Sequence, residues 1–381
     1  MSILNLQGIS KTKLVTRCIC LFWLIAKIIS WKLWLAERFF PVVPPFNFLF
    51  VPSSFHLVLF ILSLAALFAL MIFPSNRRIQ VSVVIIEVLS CLLDQNRWQP
   101  WEYEYIFIIL ALATNYKNEK ITLSIIAFII VSIYFFSGIS KLNPVFSISI
   151  RNDLVRYGIA NAGRSPFYEW LQYHAGYLLG AIELSLSIGL LFGAFRKISA
   201  VFLIMMHLLI LAILGPFGIN YDKIIWPWNT VMIIILCVFF ISKPGVAISF
   251  QSMKKGWNKL IVILFGILPF LNFFGYWDFY LSSSLFSSRP PGMYICIHNV
   301  GSAKVLQSFF APFGNKIICD SNSTLINVRD WSFEEMQSPV YPEIRIYKSI
   351  KKQLLTRYPD MNATFVVNPY IDGMKRREEL K

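Results

Sequence analysis

Apolar residues in this chain form long runs separated by short polar segments, and this pattern predicts its architecture. A helix that crosses a bilayer needs roughly 20 apolar residues. The runs that approach this length are 18–36, 54–74, 80–94, 103–115, 121–140, 174–194, 198–215, 225–242 and 258–276. The pattern therefore predicts an all-α polytopic membrane bundle of about nine transmembrane helices over residues 1–288.

The pattern changes after residue 288, where polar and apolar residues mix over shorter distances. The segments MYICIHN (293–299) and ATFVVN (363–368) predict short strands, and residues 343–358 predict an amphipathic helix. We therefore expect residues 289–381 to form a small C-terminal α+β domain.

Composition supports a membrane protein. The chain is 56% hydrophobic and 14% charged, whereas about a quarter of the residues of a soluble domain are charged. A soluble protein this apolar would expose large greasy patches to water, so the lipid bilayer is the expected partner. The net charge of +15 does not indicate nucleic acid, because the basic residues lie in short loops and no nucleic-acid-binding module accompanies them.

The distribution of basic residues predicts the orientation. About thirteen lysines and arginines lie in the N-terminal segment and every second loop, against about seven in the opposite loops. Cytoplasmic loops carry the excess of such residues, so the N-terminus is expected in the cytoplasm and the C-terminal domain outside it. In an oxidising compartment, Cys296 and Cys319 could form a disulfide. No CxxC pair occurs, and no metal site is predicted.

Ionisable residues inside the apolar runs are the candidates for chemistry, because each costs several kcal/mol unless it is paired or hydrated. Lys141 ends an apolar run in IYFFSGISKLNPVF (133–146), where it could serve as a desolvated base or extend to the interface. Glu183 needs a partner such as Lys141, His207 or a ligand. His207 could be a catalytic group or an interhelical hydrogen-bond donor.

The segment LLDQNRWQPWEYEY (92–105) combines charged and aromatic residues in a predicted outer loop. It predicts either the rim of a ligand pocket or an aromatic belt around a salt-bridged turn. The candidate rim residues are Asp94, Arg97, Trp98, Trp101 and Glu102. Asp278, between two aromatic residues near the end of the last run, could line the same cavity or cap the C-terminal domain.

The lysine segment resembles a known family. Tyr134, Gly138, Lys141 and Leu142 are similar to the Y-x3-G-x2-KL signature of the HTTM family, which includes vitamin K-dependent γ-carboxylase. The order of features over roughly residues 10–290 agrees with that family. The resemblance implies an outer-facing pocket, lined in part by Tyr134, in which Lys141 acts as a base on a quinone-like lipid or an extracytoplasmic substrate. Ser140 stands where the carboxylase has a second lysine, so glutamate carboxylation is not implied.

Two alternatives remain open. Residues 183–197 resemble the DoxX/DoxD group, which implies a quinone-linked redox membrane subunit. The third hypothesis is a non-catalytic membrane scaffold that docks an extracytoplasmic protein or peptide through its outer domain. The cofactor is not identified by the sequence, and a quinone is the candidate that the resemblances imply.

Overall fold

Helices make up most of the fold, with a small antiparallel sheet near the C-terminus. The computed structural model describes residues 10–156, 166–216, 218–220, 222–284, 286–310, 318–319, 323–371 and 374–380. The helices before residue 288 are α1 (Lys11–Ile29), α2 (Trp31–Trp34), α3 (Ser53–Ile72), α4 (Arg77–Leu93), α5 (Pro100–Thr114), α6 (Glu119–Ser140), α7 (Pro144–Arg156), α8 (Pro166–Gly189), α9 (Gly193–Leu214), α10 (Ile225–Leu236), α11 (Phe250–Met253), α12 (Asn258–Val262) and α13 (Leu268–Leu271). Each predicted apolar run overlaps one or more of these helices.

Short polar segments start the helices where the sequence leads us to expect loops. The side chain of Asn76 accepts the backbone N–H of Arg78 at 3.0 Å, and that of Asn118 accepts Ile121 N–H at 3.1 Å. Such caps satisfy backbone donors that have no partner in the first turn of a helix. The caps thereby fix the starts of α4 and α6.

Within the part of the chain that the structure describes, three helices, α3, α6 and α9, are long and apolar enough to cross a membrane. This supports a membrane protein, but by this criterion the prediction of about nine spanning helices is too high. The helices α4 and α5 have only 17 and 15 residues, and α10 and α12 continue as π-helical turns rather than as long α-helices.

The three helices differ in their surroundings. In α3 and in α9, only 22% of an apolar stretch of 18 residues is buried, whereas 72% of the corresponding stretch of α6 is buried. Large apolar side chains such as Ile61 and Leu209 are more than half exposed. Exposed apolar surface of this extent suits contact with lipid. The helix α6 is therefore central, and α3 and α9 lie at the periphery.

The C-terminal part has the predicted mixture of helices and strands. Its elements are β1 (Met293–Asn299), β2 (Thr324–Asn327), α14 (Val328–Met336), α15 (Ile344–Arg357), β3 (Asn362–Val367), β4 (Tyr370–Ile371), β5 (Met374–Lys375) and β6 (Glu378–Glu379). Antiparallel strands form one sheet in the order β2-β1-β3-β6, and β4 pairs with β5. Ile295 of β1 lies opposite Ile326 and Phe365, and all three are buried. The structure joins Cys296 and Cys319 in a disulfide.

The C-terminal part packs directly against the bundle. Arg345 forms two hydrogen bonds to Asp278, at 2.7 and 2.5 Å, and Tyr341 donates its hydroxyl to the same carboxylate at 2.7 Å. The backbone N–H of Tyr341 donates to the Asn96 side chain at 3.1 Å. A bidentate arginine–carboxylate pair fixes orientation as well as distance. Asp278 therefore holds the C-terminal part, as one of its two sequence interpretations proposed.

Candidate functional site

The close contact between α6 and α8 places the predicted catalytic residues. A Cβ atom added at Gly138 would lie 2.5 Å from the backbone nitrogen of Leu184, and one at Gly180 would lie 3.0 Å from the Gly138 carbonyl oxygen. Because a side chain would collide with backbone at these positions, glycine allows the two helices to touch. The contact brings the end of α6 against the middle of α8.

Lys141 and Glu183 meet at this contact. The Lys141 Nζ lies 2.5 Å from Glu183 Oε2 and 2.7 Å from Ser137 Oγ, to both of which it donates. The side chains are 15% and 6% exposed. The amine is thus directed at a carboxylate inside the bundle, and Lys141 is the partner of Glu183 among those that the sequence suggested.

His207 lies in a second hydrogen-bonded group beside the first. Its Nδ1 is 2.5 Å from Asn229 Oδ1, and its Nε2 is 2.6 Å from the Tyr134 hydroxyl. Since the Asn229 oxygen can only accept, Nδ1 carries the hydrogen and Nε2 accepts from Tyr134. This neutral imidazole links α6, α9 and α10, which fits the interhelical role expected as one alternative.

The two groups share one face of α6. Tyr134, Ser137 and Lys141 have i, i+3 and i+7 spacing, which aligns them along a helix. Tyr134 contacts His207 at one end of this row, and Lys141 contacts Ser137 and Glu183 at the other. The structure therefore brings the three predicted catalytic residues into one neighbourhood, with the ion pair at the end of α6 and the histidine deeper in the bundle.

A second ionic cluster lies wholly inside the bundle. The Lys27 Nζ is 2.8 Å from Glu87 Oε2 and 3.5 Å from Glu102 Oε1, with all three side chains 0% exposed. Ser63 donates to Glu87 and Trp23 donates to Glu102, each at 2.6 Å. Two carboxylates around one ammonium leave an excess negative charge unless a proton is shared between them.

This cluster shows that one predicted location is wrong, and it contains two charged residues that the predicted site does not include. Glu102, expected at a pocket rim, lies in the interior because it completes the coordination of Lys27. Lys27 was not predicted as a site residue, and Glu87 was considered only as an ionisable residue inside an apolar run, without a role. Their signal in the sequence is a charged residue within an apolar run, which requires a buried partner.

Arg97 and Asp94 are also buried rather than at a rim. Arg97 donates to His56 Nδ1 at 2.8 Å and to the carbonyl oxygens of Leu33 at 3.0 Å and Trp34 at 2.8 Å. Asp94 forms an ion pair with Arg38. Burial alone would raise the pKa of Asp94, but the charges of Arg38 and Arg97 hold it below its ordinary value. The segment is therefore a salt-bridged turn, the second of its two interpretations.

The tryptophans of the same segment contribute to packing. Trp101 is 3% exposed, and its ring lies 6.2 Å from the ring of Trp34. Trp98 is half-buried, with its ring 6.3 Å from that of Tyr103. Trp101 is therefore part of the core, which corrects its placement at a pocket rim. Tyr134, also a candidate pocket residue, is buried in its hydrogen bond with His207.

Two cavities lie where the bundle meets the C-terminal part. The larger, of about 250 Å³, is lined by residues between 36 and 51, by His56 at the start of α3, and by Gln353 and Arg357 of α15. The smaller, of about 150 Å³, lies between α2 and the end of α14. Neither cavity is lined by Lys141, Glu183 or His207.

The described residues contain no group of three or more histidines, cysteines, aspartates and glutamates arranged to hold a metal ion. The candidate site contains an ammonium, a carboxylate, a phenol and an imidazole. Comparisons of the chain with protein-family models, with curated proteins and with solved structures find no match.

Proposed function

We propose that the chain is a multi-pass membrane protein with an acid–base site at the outer end of α6, in which Lys141 is the base. The observation that supports this most is the 2.5 Å contact between Lys141 Nζ and Glu183 Oε2 in a largely buried setting. The similarity of Tyr134, Gly138, Lys141 and Leu142 to the HTTM signature is consistent with the same role.

The pair can supply a base without changing its total charge. Transfer of one proton from the Lys141 ammonium to the Glu183 carboxylate gives a neutral amine beside a neutral acid. A poorly solvated environment favours this neutral pair more than water does, because it penalises charge. The amine then accepts a proton from a substrate hydroxyl, and the resulting ammonium is again held by Glu183 and Ser137.

A quinone-like lipid in its hydroquinone form is the proposed substrate. Its acidic hydroxyl would meet the amine, while its apolar tail would stay in the bilayer. The exposed apolar side chain of Leu142, next to Lys141 in the chain and close to Gly180 of α8, provides a lipid-facing approach. Tyr134 and His207, whose donors are used within their own hydrogen-bonded group, would hold α6 in position below the pair.

The orientation is proposed with the N-terminus in the cytoplasm and the C-terminal domain outside. The distribution of lysine and arginine favours this arrangement. The disulfide between Cys296 and Cys319 adds support, because disulfides persist in oxidising compartments. The ends of α6 would then place Lys120 inside and Lys141 outside.

The test follows the ionisation of a naphthohydroquinone bound to the full chain in lipid nanodiscs, by ultraviolet absorption over a pH series. We expect bound hydroquinone to ionise at lower pH than free hydroquinone. Lys141→Ala should abolish this difference, Lys141→Arg should retain the charge but not the base, and Glu183→Gln should weaken the effect.

The control is Lys120→Ala, which removes an exposed lysine at the opposite end of α6 and should change nothing. A folded Lys141→Ala protein that binds and ionises the hydroquinone like the unaltered chain would show the proposal to be wrong. In the DoxX-like alternative the chain would also bind a quinone, and it would in addition transfer electrons to a partner subunit. The scaffold alternative predicts no hydroquinone binding at all.

A further inference from the structure

The larger cavity, between the loop 36–51, His56 and α15, has a lining suited to an anion. Every lining residue is described, and none of them is acidic. Arg38 and Arg357 are in the lining, whereas the nearby carboxylates of Glu37, Asp94 and Glu335 are not. The lining itself therefore carries only positive charge, which favours a negatively charged group in the cavity.

His56 provides a hydrogen-bond donor that none of the described groups uses. Arg97 has only donors, so the 2.8 Å contact makes His56 Nδ1 an acceptor. The hydrogen of the neutral ring must then be on Nε2, for which the described residues provide no partner. His56 is 2% exposed and lines the cavity. This hydrogen is on the side of the ring that faces the open cavity, where it is available to an acceptor.

The helix α15 supplies the other polar groups. Gln353 and Arg357 are four residues apart and so lie on one face of the helix. The Gln353 amide donates to the Val42 carbonyl at 2.9 Å, which fixes the side chain against the loop. Arg357 forms no ion pair among the described residues and lies over the ring of Phe39, 5.8 Å from its centre. Its charge is therefore available to a ligand.

The surroundings of the cavity indicate a ligand with an apolar tail. Leu49, Phe50 and Val51 form part of the lining, and Phe46 and Phe48 of the same loop are 59% and 77% exposed. Exposed aromatic residues beside the end of an apolar helix are typical of the membrane–water interface. A free phosphate would use the donors but would leave this apolar surface uncovered.

We infer that the cavity binds the phosphate group of an anionic lipid, with His56 and Arg357 as donors and the Phe46–Phe50 loop against the acyl chains. This site is separate from Lys141 and Glu183, so it does not depend on the proposed acid–base function. It would anchor the C-terminal part to the membrane surface through α15.

The test is native mass spectrometry of the full chain in detergent with dioleoyl phosphatidylglycerol, with dioleoyl phosphatidylcholine, or with inorganic phosphate alone. Phosphatidylglycerol should bind best. Arg357→Gln should weaken its binding roughly three- to fivefold, the effect of one partly screened ionic contact. Val51→Trp should fill the cavity and abolish binding. Lys352→Gln removes an exposed charge from the same helix outside the cavity and should have no effect.

Three results would overturn the inference. Equal losses in Arg357→Gln and Lys352→Gln would show general attraction to a basic surface. Unchanged binding in Val51→Trp would place the lipid elsewhere. Inorganic phosphate that binds as well as the lipid, and displaces it, would identify a soluble anion as the ligand. Arg357 is on the surface, so the Arg357→Gln protein is expected to fold. Its lipid binding therefore tests the inference even if Val51→Trp does not fold.

Discussion

The carboxylate of Glu343 connects the C-terminal part to the bundle in a pH-dependent way. Its Oε1 accepts the backbone N–H of Phe279 at 2.9 Å, and its side chain is only 16% exposed. Burial and the nearby negative charge of Asp278 raise its pKa from the ordinary 4.5 to about 7, against the lowering effects of the Phe279 hydrogen bond and Arg345. Replacement by glutamine keeps an oxygen that can accept from Phe279 but removes the titration.

The sign and size follow from the two pKa values. Below pH 4.5 the carboxyl is protonated in both the folded and the unfolded chain, so the preference of the fold for the neutral form contributes fully to stability. As the pH rises towards 7, the unfolded chain ionises first and that contribution is lost. The upper limit is about 3 kcal/mol. Partial exposure and Arg345 reduce the expected effect to about 1–2 kcal/mol.

Glu343→Gln should therefore stabilise the fold at about pH 8, with a rise in Tm of roughly 1 to 3 °C, and have little effect at about pH 4. Thermal unfolding of the full chain in detergent, followed by tryptophan fluorescence at both pH values, measures the difference. The control is Glu334→Gln, which removes a carboxylate from an exposed position. A gain in Tm that is the same at both pH values, or is shared by the control, would refute the reasoning.

Three further changes test the packing. Gly138→Ala should separate α6 from α8 and lower stability by about 1–3 kcal/mol, whereas Gly193→Ala, which has open space around it, should not; thermal unfolding distinguishes them. Cys319→Ser should cost roughly 3 kcal/mol, and a reducing agent should lower the Tm of the unaltered chain but not of the variant. Lys27→Met should cost about 3–5 kcal/mol by leaving buried carboxylates uncompensated, and adding Glu87→Gln should recover part of the loss in the same unfolding measurement.

Segments whose hydrophobic pattern is local could be predicted from the sequence. Predicted strands at 293–299 and 363–368 correspond to Met293–Asn299 and Asn362–Val367, and the predicted helix at 343–358 corresponds to Ile344–Arg357. Alternation and helical periodicity are properties of neighbouring residues, so they can be seen without the fold. The strand Thr324–Asn327 was missed, because four residues give too short a pattern.

Contacts between distant residues could be predicted only in part. The need of Glu183 for a partner follows from its place in an apolar run, and Lys141 was one of three candidates. The contact itself depends on Gly138 and Gly180, whose effect appears only when the helices pack. The prediction that Glu102 lies at a pocket rim is wrong, because its carboxylate contacts Lys27. Lys27 is 75 residues earlier and lies inside another apolar run.

The number of spanning helices was overestimated for a related reason. Apolar content alone does not distinguish a helix that faces lipid from one enclosed by other helices. The helix α5 is short, and most of its residues are buried. Such a helix can be apolar because the protein surrounds it, so its composition does not determine how far it extends across a bilayer.

The hydrogen bond from Gln353 to Val42 joins residues 311 positions apart, and the carboxylate of Glu335 accepts the backbone N–H of Phe39 across 296 positions. During synthesis, the loop 36–51 therefore gains these partners only after nearly the entire remaining chain has been made. Chain closure over such distances is slow, so this loop is expected to be among the last regions to become protected in folding. Premature termination before α14 would remove both of these partners, and the unanchored loop would then be open to proteases.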